Sequence, residues 1–521
     1  MDNSSFTVAK IFGDHMVLQR NKPIKLWGTS QKVQTLRVSI NNQVVASCQA
    51  PVGPWRVTLP AMEASRNLTL QICAENEAES LSFQDVAVGE VWIAGGQSNM
   101  EFPLKYDAEA CRVIPQANNP EICFYDCPKI KFEGQDQEDD FSQAGFWRPL
   151  NPTNAPHYSA VGFYFASKIY EQTQVPVGIV GCNWGGTTAS AWLDEGFLAA
   201  DERLSIYLQE YQAATQSVEM DQYIAAEERS RKVLKQPVVV KLISSIMKKT
   251  PGPLLYPLYT ALLTSSAKSM LSIGPRSENR PGGLYHTMVQ KIAGFSARGV
   301  IWYQGESDDL KAERYGRLFS AVIRCWREAW EDDLPFLFVQ LAPFEKWMGV
   351  LAVNYPILRE QQEWVSKTVP GAYMISIMDA GSRLDIHPKN KRPVGERLAR
   401  LAVGKVFGEE ILCEAPEVLD IRLEDDSLVI LFSHVGEGLQ LKGPQLKSLE
   451  ILTQGKAIMP FKVKVTQDSL VIQAANLSSA RELEVRLAYQ NYAEVNLYNS
   501  AGMPAKPFRW TIPAGPQEKS I

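Results

Sequence analysis

Between residues 89 and 410 the chain repeatedly follows a short, unbroken apolar run with a longer segment of helical periodicity. The apolar runs fall at 91–94, 177–180, 300–303, 336–341 and 373–377. Runs without polar alternation belong to strands covered on both faces. The segments 159–171, 284–293, 311–330, 357–367 and 393–406 read as helices. Strands alternating with helices imply an α/β fold built on a parallel, doubly wound sheet, whose ligands bind outside the strand C-terminal ends.

The flanks read differently. Residues 1–88 alternate with period two in short runs such as Leu36-Arg37-Val38-Ser39-Ile40, separated by Asn41-Asn42 and Gly53-Pro54. This predicts an antiparallel, sandwich-like β-module. Short strands return over 411–521, giving a second β-module. A length of 521 residues suits one large central domain with smaller flanking ones. With 45% hydrophobic residues a sizeable core is available, and a net charge of −5 offers nothing to a nucleic-acid partner.

An insertion at 194–277 carries a polarised charge. Residues 194–228 hold nine acidic side chains and one basic one, whereas 229–277 hold nine basic side chains and no acid. Oppositely charged arms suit a homo-oligomer or lid contact, and a solvated helical hairpin is the plain alternative. Two charge-free stretches, 250–267 and 172–193, are broken by prolines or glycines and make poor membrane spans. The N-terminus lacks a basic segment followed by an apolar one, and eight cysteines are sparse for this length. The expectation is a cytoplasmic protein, with a secreted chain trimmed of its leader as the alternative.

The chemistry-bearing residues follow the strands. The run at 91–94 enters Gly95-Gly96-Gln97-Ser98-Asn99-Met100, where two glycines permit a sharp turn that presents the Ser98 hydroxyl at the sheet edge. The α/β-hydrolase elbow would require glycine where Met100 stands. The second strand enters Gly181-Cys182-Asn183-Trp184-Gly185-Gly186-Thr187, which imitates a phosphate-binding loop but has Thr187 where the lysine belongs. Its amides remain candidate donors to an anionic oxygen. The third enters Gln304-Gly305-Glu306-Ser307, and the fifth leads to Asp385-Ile386-His387-Pro388. Of five histidines, His15 and His434 fall in the β-modules, and His157 and His286 lie away from strand ends. His387 is therefore the best general-base candidate. Cys123 and Cys127 have no second ligand pair, so no metal is expected, and no cofactor either.

Taken together, Gly96–Met100, Tyr303–Ser307 and Asp385–Pro388 resemble the motifs of SGNH (GDSL-type) hydrolases, in their sialate O-acetylesterase-like and acetylxylan esterase-like branch of carbohydrate esterases. Met16-Val17-Leu18-Gln19, the 280–285 segment, Val394–Leu398 and Asn496–Asn499 support it along nearly the whole chain. The resemblance implies a flavodoxin-like three-layer domain and hydrolysis of O-acetyl esters on an acetylated oligosaccharide or sialic acid, without a cofactor. It implies Ser98 as nucleophile and His387 as base. The oxyanion hole would combine the Ser98 amide, a Gly185 or Gly186 amide and the Gln304 side chain. Gln97, Glu306 and Trp184 are candidate substrate contacts, and Trp192 and Tyr303 are either sugar platforms or core. Many family members carry the triad acid three residues before the histidine, where this chain has Leu384. Asp385 is the substitute; otherwise a backbone carbonyl orients His387 and the site is a Ser-His dyad.

Overall fold

The computed structural model describes residues 5–75, 79–249, 273–424, 427–474, 477 and 482–513. Its central sheet is built from β1 (Ser80–Gly96), β2 (Asn119–Asp126), β3 (Trp147–Leu150), β4 (Val177–Asn183), β5 (Gly299–Tyr303), β6 (Phe336–Val339) and β7 (Ala372–Ile375). The strands lie in the order β3-β2-β4-β1-β5-β6-β7, parallel except for β3. Two of these, β2 and β3, are not among the strands expected from the sequence. In β2 only Ile122–Tyr125 form an uninterrupted buried run, and Pro120 precedes them.

β1 is fully buried from Val88 to Gly96 and sits at the centre. Its neighbours β4 and β5 come from opposite halves of the chain, so β1 marks the switch point of the winding, where such sheets open a crevice. The described helices that matter are α1 (Ser98–Glu101), α2 (Ala160–Thr173), α3 (Met220–Leu234), α4 (Ala312–Trp330), α5 (Tyr355–Thr368) and α6 (Arg392–Lys405). α4 buries Tyr315, Phe319, Val322, Trp326 and Trp330, a stripe at helical spacing. Side chains alternate across a strand. Accordingly, Trp92 packs on Phe165 of α2 with ring centroids 5.0 Å apart, while a Cβ on Gly95 would meet Trp302 and Trp326 within 3.1 Å. The sheet is thus covered on both faces.

The N-terminal strands are not a separate bead. The first half of β1 pairs with Ser65–Ala74 and Val17–Gln19, and the second half is the central strand. Position 88 lies inside that one strand. At the crossing, the fully buried Glu90 accepts from Arg20 Nε at 2.6 Å and from Arg298 Nε at 2.7 Å, tying flank to centre. The C-terminal strands form two four-stranded antiparallel sheets around their own apolar cluster, including Leu428, Ile430, Ile472, Val485 and Leu487.

The described part of the insertion is largely helical, with α3 flanked by Ile206–Thr215 and Pro237–Lys248. Its charges reach the central domain: Glu227 pairs with Lys131, Arg231 with Asp139 at 2.6 Å, and Arg276 with Glu138 at 3.1 Å. The charge-free stretch 250–267 lies outside the described residues. Among the described residues no helix is long and apolar enough to cross a membrane.

Candidate active site

β1 ends at Gly96, whose φ of 130° puts an added Cβ 2.2 Å from the Tyr303 carbonyl oxygen. Only glycine lets the two strand ends approach this closely. Ser98 then opens α1, and its N–H, in the first turn, has no intrahelical acceptor. His387 arrives on the loop between β7 and α6. Its Nε2 lies 2.8 Å from the Ser98 Oγ, although the two residues are 289 positions apart.

Asn99 holds these two loops together. Its Nδ2 donates to the Ile386 carbonyl at 2.9 Å and to Glu306 Oε1 at 2.5 Å, and its Oδ1 accepts from Lys391 Nζ. Lys391 is 1% exposed, and burial pushes its pKa down to about 7. Burial raises the Glu306 pKa, and its Oε2 is enclosed without a hydrogen-bond partner.

Asp385 does not reach the imidazole ring. Its Oδ1 accepts from the His387 backbone N–H at 2.9 Å, and its Oδ2 pairs with Lys389 at 2.9 Å. A spacing of two favours this local turn over contact with its neighbour's ring. His387 Nδ1 is buried and makes no hydrogen bond to the protein. Rings hold the imidazole instead: Phe102 stacks at 6.4 Å, and Trp347 stands perpendicular at 5.0 Å. Burial, reinforced by the Lys391 and Lys389 ammonium groups, holds the His387 pKa well below the ordinary imidazole value. A base must be neutral to act, so kcat/KM is expected to hold on the acid side of pH 6.5 and fall only as His387 protonates below it. A pH–rate profile with an acid limb at or above 6.5 contradicts this.

The other expected site residues divide. Gly185 lies against Ser98, since an added Cβ would sit 3.2 Å from the Ser98 Cβ. Its N–H, however, donates to Glu101 Oε2 at 2.7 Å. Among the described residues, the Ser98 and Gly186 N–H groups donate to no other protein group. Gln304 is not available as an oxyanion donor in this structure. It is fully buried, and its Nε2 donates to Asp308 at 2.6 Å and to the Thr187 carbonyl at 3.1 Å, while its Oε1 accepts from Tyr315 at 2.9 Å. Gln97 is likewise buried, and its Oε1 receives the Gly305 and Ser307 N–H groups at 3.4 and 3.3 Å. It shapes the 305–307 turn. Trp192 and Tyr303 are core residues, each no more than 1% exposed. Trp184 is half-buried beside Gly185, with Lys129 Nζ 5.7 Å from its ring centroid.

Asn99, Lys391, Phe102 and Trp347 escaped the sequence reading. Asn99 and Phe102 lie within four residues of Ser98, which is a usable signal, but Trp347 comes from a short hairpin with no motif. Outside this site, Asp194, Glu195 and His286 bring possible metal-ligand atoms within 4.8 Å of one another. There His286 Nε2 already pairs with Glu195 at 2.6 Å.

The comparisons with known proteins point the same way. A family model described as carbohydrate esterase, sialic acid-specific acetylesterase, matches residues 266–403. A sialate O-acetylesterase from Mus musculus is 23% identical, with the alignment covering 96% of this chain and 94% of the mouse protein. One from Homo sapiens is also 23% identical, covering 96% and 92%. A crystal structure of a carbohydrate acetylesterase from Xanthomonas citri superposes with a TM-score of 0.75 at 27% identity, covering 97% of this chain and 99% of that one. The parallel sheet, the serine at its switch point and these whole-length similarities agree: the chain is similar along nearly its whole length to sialate O-acetylesterases and to a carbohydrate acetylesterase, and it is a carboxylic-ester hydrolase of SGNH-like fold.

Proposed function

We propose that this protein hydrolyses O-acetyl esters of sugars with Ser98 as nucleophile and His387 as general base, the two acting as a dyad. The observation that carries this reading is the 2.8 Å contact between Ser98 Oγ and His387 Nε2 at the C-terminal end of the central strand. For Nε2 to accept the hydroxyl proton, Nδ1 carries the ring hydrogen. Oγ bonds to the acetyl carbon while His387 takes its proton, and the sugar oxygen leaves with that proton as the tetrahedral intermediate collapses. Water then attacks the acetyl-enzyme by the same route, releasing acetate. The Ser98 and Gly186 N–H groups are the backbone donors for the oxyanion, and one such donor contributes about 10²–10³ in rate. Phe102 and Trp347 offer their rings to the imidazolium that forms in each half-reaction. Binding alone would not require a serine hydroxyl aligned on an imidazole, which disfavours a non-catalytic sugar-binding role.

The test is acetate release from 9-O-acetylated sialic acid and from acetylated xylo-oligosaccharides, with labelling by a serine-directed organophosphorus reagent. Cleavage of at least one substrate and a label on Ser98 are expected. Failure on both substrates and on a simple aryl acetate rejects the reading. Asp385→Asn separates dyad from triad, since it keeps an oxygen for the His387 N–H. A loss below about 10-fold is expected, whereas neutralising a true triad carboxylate costs about 10⁴.

A further inference from the structure

We infer that the cleft between residues 129–141 and helix α3 is a subsite for an uncharged glycan chain continuing from the acetylated sugar, an inference that rests on the esterase reading above. The cleft measures about 430 Å³ and is walled by Trp184, Lys129, Phe132, Phe141 and α3 residues such as Arg231. That volume falls within the ~300–1,000 Å³ usual for small-molecule sites.

Two of its walls are linked to Ser98 through Gly185. Trp184 directly precedes Gly185, which lies against Ser98. Lys129 pairs with Glu101, the residue whose Oε2 holds the Gly185 N–H at 2.7 Å. A sugar chain leaving the reacting residue past Gly185 therefore meets the half-buried Trp184 first. An indole face is a good partner for the C–H face of a pyranose ring.

Charge selects the occupant. The lining holds five cationic and five acidic side chains. Three of each pair with one another: Lys131 with Glu227, Arg231 with Asp139 at 2.6 Å, and Arg276 with Glu138 at 3.1 Å. A balanced wall gives no net attraction to a carboxylate, but presents many donors and acceptors to hydroxyl groups. Phe141 adds a half-buried apolar patch. The cleft thus fits a neutral oligosaccharide better than a second anionic sugar. The insertion supplies the outer wall.

Chain-length dependence tests this. Wild-type kcat/KM for acetate release should rise about 10-fold from acetylated xylobiose to acetylated xylotetraose, mainly through KM. In Phe141→Ala that ratio should fall to within about 2-fold of unity, with the melting temperature recorded to confirm folding. Reading the ratio within each variant cancels any general loss of activity. A second variant, Arg231→Glu, places like charge beside Asp139 and should also flatten the ratio. A wild-type ratio near one, or a ratio that neither variant changes, overturns the subsite. Loss of 4-nitrophenyl acetate hydrolysis by the wild type would instead indict the esterase reading.

Discussion

Ser98→Ala is expected to lower kcat for acetate release by about 10⁴-fold or more while leaving the fold intact. The expectation comes from what the hydroxyl does and does not touch. Its hydrogen bond is to His387 Nε2, and the residue is half-buried at the start of a four-residue helix. Removing it deletes the attacking atom without uncovering a buried charge. The rate that remains comes from the Ser98 and Gly186 N–H groups and from substrate binding, which alone give about 10³–10⁴ over water in comparable serine hydrolases. In the proposed mechanism Ser98 and His387 act as one unit, so Ser98→Ala combined with His387→Ala should be little slower than either alone. Acetate release by stopped assay, beside circular dichroism of each variant, checks both statements. A Ser98→Ala protein that retains a tenth of the activity would remove the nucleophile from this site.

Glu90→Ala should destabilise the fold by about 3–5 kcal/mol. Glu90 is completely buried, and its two oxygens receive Arg20 Nε at 2.6 Å and Arg298 at 2.7 and 3.0 Å. Gln19 Nε2 adds a longer contact at 3.4 Å. The two guanidinium groups come from the N-terminal flank and from the residue just before β5, so one carboxylate joins three parts of the chain. Alanine leaves both cations partly buried and facing each other without a counter-charge. Glu90→Gln keeps acceptor oxygen and should cost less. Urea unfolding followed by tryptophan fluorescence measures the difference, since Trp92 lies two residues away and is itself buried. A loss under about 1 kcal/mol would mean that solvent compensates the arginines.

The sheet strands with continuous apolar runs were legible because burial on both faces removes polar residues from the sequence itself. The runs at 91–94, 177–180 and 300–303 all lie inside observed strands. Helix α4 was equally clear, because its buried stripe at 315, 319, 322 and 326 repeats with helical period. β2 and β3 were not legible. In β2 only four residues form a buried run after Pro120, and in β3 Pro149 interrupts a four-residue strand, so their strand character comes from pairing with neighbours. The same division runs through the site. Ser98 could be placed because a glycine pair after a buried strand dictates a turn locally, and His387 because few histidines competed.

The sequence by itself determined the layered α/β architecture and the turn that exposes Ser98, since each follows from local periodicity and turn chemistry, and its few histidines left His387 as the candidate base. Only the tertiary structure decided what surrounds them. It engaged Gln304 with Asp308 and Tyr315, turned Asp385 onto a backbone N–H, set Trp347 against the imidazole and linked Asn99 to Lys391. Those outcomes depend on which donors and acceptors meet when distant segments are buried together. A buried polar group must bond to whatever lies within reach, and reach is a property of the packed chain.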